Sequence, residues 1–165
     1  FPAVNWLTSY SLYVDRVSQW YTDNVSKEFN GYRAKVMRIL QEEAELEEIV
    51  RLVGIDALSS KDRVTLEVAR MIREDFLHQI AFDEVDTYTT LRKQNGMLRL
   101  IMMYHDLAQE AIRKNVDLKE LFSLPVKERI GRAKYVPEDR VDAEYASIES
   151  ELTAQMDALL AKEGE

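Results

Sequence analysis

An all-α fold, an antiparallel helical bundle with short loops, is what this sequence predicts, and three observations predict it. Helix breakers are scarce, with 5 Gly and 3 Pro in 165 residues, while the helix formers Glu, Leu, Ala, Arg and Met are abundant. Apolar residues recur at steps of three and four over long stretches, the spacing of one buried helix face. The segments between these stretches are short, so successive helices must return alongside one another.

Residues 11–24, SLYVDRVSQWYTDN, form a short amphipathic stretch with Leu12, Val14, Val17, Trp20 and Tyr21 as its apolar members. Ser26 is placed to cap the long helix that follows, its hydroxyl accepting from an orphan N–H. That helix runs to about Val53 on the stripe Phe29, Tyr32, Val36, Ile39, Glu43, Leu46, Val50, Val53, in which Glu43 is the polar exception. The run QEEAELEE (41–48) reads as a solvated acidic face, and Gly54 sits where a left-handed C′ residue is wanted. GIDALSSKD (54–62) is a turn, with Ser59 and Asp62, or Ser60, capping a helix over about 61–80. The seam of this helix is Val64, Val68, Met71, Ile72, Phe76 and Ile80. AFDEVDTYTT (81–90) breaks the period and reads as a structured loop. A long helix covers 90–115, with Asn115 near its end. Asp117 and Glu120 give a short capped turn, and Pro125 opens another short helix at N1. After the connector KYVPED, the last helix spans 139–163 with Val141, Tyr145, Ile148, Leu152, Met156 and Leu159 on one face.

Composition narrows the function classes. The length is that of one domain, able to bury roughly 70% of the surface its unfolded chain exposes. A formal net charge of −8 disfavours nucleic acid, whose phosphates need a basic face, and leaves room for a basic protein partner. With no Cys there is no thiolate metal site and no thiol nucleophile. No apolar run approaches a membrane span, so direct membrane insertion is not expected. The chain holds no G-x-x-x-x-G-K-[ST], no G-x-G-x-x-G and no G-x-S-x-G around Ser9, Ser11 or any other serine. His78 lies four residues after Glu74, and His105 has no Glu three before it, so the paired Glu-x-x-His of a di-metal bundle is missing and no metal site is expected. No catalytic residue is assigned.

The chain opens on FPAVNWLTSYSLY, with no Met and with aromatic residues around a proline-fixed loop. Such an opening reads as the continuation of a longer protein at the edge of a site. Three non-helical segments carry turn-specific or aromatic residues: Phe1-Pro2-Ala3, Gly54–Asp62 and Ala81–Thr90. Loops of this kind carry function more often than packed helices do. The plainer alternative is that Phe1 and Phe82 close off the core.

FPAVNWLTSYSLY, together with EEAELEEIVRLVGIDALSSKDRVTLEVARMIREDFLHQIAFDEVDTYTT, resembles the C-terminal part of the catalytic alpha chain of archaeal and vacuolar-type (A/V-type) ATP synthases. The likeness runs densely over residues 1 to about 125. It implies a lead-in over 1–10 from a nucleotide-binding domain and a C-terminal helical bundle over 11–165. The phosphate-binding loop, catalytic Glu and Mg²⁺ ligands would then lie in a part not present here. ATP or ADP with Mg²⁺ would be bound by the full-length alpha chain, while the fragment alone would bind no cofactor and be inactive. By the same resemblance, Phe1 of the (Phe/Tyr)-Pro-Ala motif and Phe82 of an Ala-Phe-x-x-Val motif, with Ala81 and Val85 beside it and Tyr88 near, wall the adenine. The 54–62 tip, through Asp56, Leu58, Ser59, Ser60, Lys61 and Asp62, with Arg63 behind, contacts the central stalk subunit. It matches the place of the acidic DELSEED loop of F-type β subunits but lacks that acidity at Ala57, Ser59, Ser60 and Lys61, which favours a steric push over charge steering. The implied setting is the cytoplasmic head, peripheral to the membrane, in a hexameric ring that alternates with the non-catalytic nucleotide-binding subunit. The implied work is ATP synthesis or hydrolysis coupled to proton or sodium transport. That non-catalytic subunit is itself the nearer rival, ranked lower because FPAVNW and AFDEVDTY look like the catalytic alpha chain. A stand-alone helical adaptor bundle is the more distant one.

Overall fold

A computed structural model describes residues 5–9 and 11–162. Its helices are α1 (Val14–Asn24), α2 (Phe29–Val53), α3 (Ser60–Met71), α4 (Leu91–Arg113), α5 (Leu118–Phe122), α6 (Val126–Gly131) and α7 (Val141–Lys162). No strand occurs among the described residues. α4 is the central element: it packs against α2, α3, α5, α6 and α7. Leu100, Ile101, Tyr104, Ala108 and Ala111 of α4 are almost wholly buried, as are Val64, Val68 and Ala69 of α3. All six residues of the seam expected on the last helix, Val141 to Leu159, are buried on α7. Each fully buried Leu, Ile, Val or Met side chain contributes about 1.5–3 kcal/mol relative to exposure. The two helices α4 and α7 meet at Gly96, where an added Cβ would lie 2.5 Å from the Tyr145 ring. A glycine is therefore required for them to approach this closely.

The ends of the helices follow local chemistry. The Ser59 hydroxyl accepts from the Asp62 N–H at 3.2 Å and donates to its carboxylate at 2.7 Å, the expected cap of α3. Thr90 caps α4, accepting from Lys93 N–H. Asn115 takes the left-handed conformation (φ 65°) just past α4, and Val116 N–H closes back on the Ala111 carbonyl. Asp117 caps α5. Pro125 already has helical angles at the head of α6, and the next N–H, of Val126, is taken by Gln155 of α7 at 3.1 Å.

Four expectations are corrected. Ser26 does not cap α2. Its hydroxyl accepts from Glu28 N–H, one turn early, and α2 begins at Phe29 with no side-chain cap. Gly54 has positive φ (87°) but an extended ψ (163°), so it redirects the chain rather than forming the left-handed C′ turn. The helix drawn over 61–80 is α-helical only to Met71 and ends in a wide π turn, Ile72–Leu77, where His78 N–H reaches back five residues to Arg73 O at 2.9 Å. The α2 stripe is buried at Phe29, Val36, Ile39 and Glu43, with Tyr32 half-buried, and then rises out of the core, leaving Val53 exposed. α1 has an apolar face with no fully buried residue; it is joined to α2 by Tyr21 stacked on Phe29, ring centroids 5.0 Å apart.

Candidate functional site

The first feature is the loop from His78 to Thr90, set between the π turn and α4. It carries little hydrophobic anchorage and is held by its own polar groups. Asp86 is buried; its carboxylate accepts from Ile80 N–H at 2.6 Å and its carbonyl accepts from the Gln79 side-chain amide. The Asp83 carboxylate accepts from the N–H groups of Asp86 (2.8 Å) and Val85 (2.9 Å), and these bonds hold its pKa below the ordinary carboxylate value. The Thr87 hydroxyl donates to the Ala81 carbonyl at 2.9 Å, and Thr89 donates to the Asp86 carbonyl. On this frame Phe82 is 100% exposed and Tyr88 is 86% exposed. Val85 is half-buried and Ala81 exposed. A phenyl ring standing wholly in water on a fastened loop stabilises nothing in this domain. The alternative in which Phe82 closes off the core is thereby excluded.

The second feature is the tip of the α2–α3 hairpin. After Gly54 a single 3₁₀ turn, Ile55–Ala57, leads into the Ser59 cap. Leu52 (83% exposed), Val53 and Ile55 form an exposed apolar rim. Asp56 stands almost fully in solvent and pairs with Arg63 at 2.9 Å. Ser59, Ser60 and Lys61 are exposed and Asp62 is half-buried. Leu58, expected among the contact residues, is buried within the turn.

Loop and hairpin are joined by an ion pair between a buried carboxylate and a half-buried guanidinium. Glu43, on α2, accepts from Arg73 Nε at 3.1 Å and from Nη2 at 2.8 Å. Burial raises the Glu43 pKa despite the facing guanidinium. Arg73 is also the residue whose carbonyl terminates the π turn, so the pair ties α2 to the start of the loop.

A family model for the C-terminal domain of V and A type ATP synthase matches residues 18–122, well over half of the chain. The chain belongs to this family. It is 59% identical, over 99% of its length, to the V-type ATP synthase alpha chain of Acetivibrio thermocellus, of which it covers 28%. It is 54% identical over 99% of its length to the alpha chain of Clostridioides difficile, and 55% identical over 97% to that of Thermoanaerobacter pseudethanolicus. In those two it covers 28% and 27% of the relative. The chain thus spans under a third of the curated relatives it matches.

Within this V/A-type C-terminal domain, the residues expected to wall a base are not all open to description. Phe1 lies outside the described residues. Ala81, Phe82, Val85 and Tyr88 share one loop, with both aromatic rings in solvent. Sequence reasoning missed the apolar rim at Leu52 and Ile55, because neither belongs to the stripe that ends at Val53 and each reads by itself as an isolated apolar residue beside the Gly54 turn. It also missed two buried lysines, Lys93 and Lys134, since Lys is normally read as surface. The π turn that precedes the loop left no separate signal in the apolar spacing. Among the described residues no helix is long and apolar enough to cross a membrane.

Proposed function

We propose that this domain supplies one wall of the adenine pocket of a rotary A/V-type ATP synthase alpha chain, and transmits nucleotide-dependent motion to the central stalk through its α2–α3 tip. The observation that carries the reading is Phe82, a fully exposed ring on a loop whose backbone is fastened before it at Ile80 and Ala81 and after it at Val85 and Asp86. A π-face offered in this way suits a base, and base stacking is worth roughly 1–3 kcal/mol. Ala81, Val85 and Tyr88 complete this side, and Phe1, from the 1–10 lead-in, would supply the other. The bundle over 11–165 performs no chemistry in this reading. Phosphates and Mg²⁺ would be held by the nucleotide-binding domain of the full-length alpha chain, which is the enzyme.

The tip would act by shape. Its exposed rim, Leu52, Val53 and Ile55, is apolar, and Asp56 is already paired with Arg63, which supports a steric contact over a charged one. The non-catalytic subunit would be the neighbour in the ring, and the assembly the peripheral head of a membrane complex. The reading of this chain as that non-catalytic subunit is not retained, because the matched relatives are alpha chains.

The test is Phe82→Ala in the full-length alpha chain. Nucleotide affinity is expected to fall by about tenfold to a hundredfold, in line with loss of one stacking contact. The thermal midpoint should stay put, since an exposed side chain away from special features changes stability by less than about 0.5 kcal/mol. Unchanged affinity sinks the adenine reading. The isolated 165-residue chain should not saturate with a fluorescent ATP analogue at micromolar concentration, as phosphate and Mg²⁺ contacts are absent from it.

A further inference from the structure

The loop that carries Phe82 is fastened to the rest of the domain in an unusual way: the connector between α6 and α7 holds both of its ends. At the entrance, Lys134 donates from Nζ to two carbonyls, Glu74 O at 2.9 Å and His78 O at 3.0 Å. These lie within and just after the π turn, where helix carbonyls lose their own partners and a cation is favoured. At the exit, Thr90 donates to the Glu138 carboxylate at 2.7 Å, and Arg92 donates to the Glu138 carbonyl at 2.8 Å. The connector is itself immobilised from the core. Lys93 of α4, 1% exposed, donates to the Lys134 carbonyl at 2.6 Å. Tyr145 of α7 donates to the Ala133 carbonyl at 3.1 Å. The chain of contacts therefore runs from α4 and α7, through Ala133 and Lys134, to the first residue of the loop.

We propose that Lys134 is the positioning residue for the Phe82 loop, with Glu138 holding the other end. The inference rests on the proposed nucleotide role for its consequence, but not for its geometry. Lys134 is 6% exposed, so solvent screens its bonds little, and it makes them to backbone rather than to a mobile side chain. It spends its charge on where the loop begins. Phe82 lies four residues downstream of the His78 carbonyl, and the intervening Ile80 is fixed in turn by Asp86. A shift at His78 is thus passed on to the ring.

The experiment compares Lys134→Met with the parent chain by amide hydrogen exchange. The N–H groups of His78, Ile80, Asp83 and Thr87, all bonded within the π turn and loop, are expected to exchange about tenfold to a hundredfold faster, the loss of a buried charge-assisted bond. Those of Leu152 and Met156 in α7 should keep their rates, and Lys134→Arg should restore part of the loop protection. Unchanged loop exchange overturns the inference. Should α7 also loosen in Lys134→Met, Glu138→Ala decides from the exposed side. Severalfold faster exchange at Asp86 and Thr87 with α7 intact supports the clamp, and no change overturns it. In the full-length alpha chain, Lys134→Met should raise the ATP concentration for half-saturation about tenfold while leaving turnover at saturation unchanged. If the loop loosens and ATP affinity does not fall, the adenine role of Phe82 fails while the positioning by Lys134 stands.

Discussion

The His78–Thr90 loop and the α2–α3 tip both carry large apolar side chains into solvent, yet they are built in opposite ways. The loop has almost no regular structure and is pinned by carboxylate and hydroxyl bonds, with the buried Asp86 and the half-buried Asp83 and Thr87 each engaging the backbone. The tip borrows its order from two helices and adds a positive-φ glycine, one 3₁₀ turn, one serine cap and the exposed Asp56–Arg63 pair. A surface that presents one ring to one ligand needs that ring held to a fraction of an ångström, which dense local bonding provides. A surface that presses on a partner needs stiffness along its length, which paired helices provide. Fastening tells more about use than exposure does.

The contrast breaks most readily where the two regions meet. Arg73→Met strands the Glu43 carboxylate in a buried setting. Removing one partner of a buried pair costs about 3–5 kcal/mol, and the partial exposure of Arg73 reduces this to about 2–3 kcal/mol. Urea unfolding should show the loss. The Glu43 pKa, already raised, should climb further, and the variant should therefore recover stability as pH falls through that value. Asp86→Ala removes the acceptor of Ile80 N–H and should cost about 1–2 kcal/mol, read as faster exchange confined to the loop. Equal acceleration at the tip would mean the two regions are not separate. Gly54→Ala places a side chain at φ 87°, ψ 163°, a conformation essentially reserved for glycine, and should cost about 1–2 kcal/mol at the tip alone. No atom crowds that site, so strain and not collision is the cause.

Acid should release the loop without mutation. The Asp83 pKa is depressed by its two backbone N–H bonds, so its contribution is in place above the ordinary carboxylate value and is lost as pH falls through the lower folded value. The amide signals of Val85 and Asp86 should move over that range. The smallest effect is expected from Leu52→Ser, which should leave the unfolding free energy within about 0.5 kcal/mol of the parent. A larger loss would show that the rim is packed within the domain and not offered outward.

Much of this was legible in the sequence wherever burial is continuous. The α7 seam from Val141 to Leu159 could be read residue by residue because every third or fourth position meets the same core. Ser59 and Asp62 could be read because a cap is a local event. The stripe of α2 misled at Val53 because periodicity reports a face and not what covers it. Ser26 misled because a serine two residues ahead of Glu28 can close its own small turn instead of a helix. The site was the least legible part. The importance of Phe82 came from the likeness of AFDEVDTY to a family motif, whereas the bonds that hold it come from Asp86, Lys134 and Glu138, which are distant in sequence or ordinary in type.

The π turn at Ile72–Leu77 adds one residue to a turn of helix that would otherwise have continued α3. Each residue of an α-helix advances the direction of its side chains by about 100°. Everything downstream is therefore dialled by one click relative to the face that packs Val64 and Val68. The compass bearing of the loop, and with it of Phe82, is thus set in part by a count of residues, before Asp86 and Lys134 fasten it. A protein that kept every side chain of the loop but dropped a single letter between 72 and 77 would point the same ring at a different quarter of its surroundings.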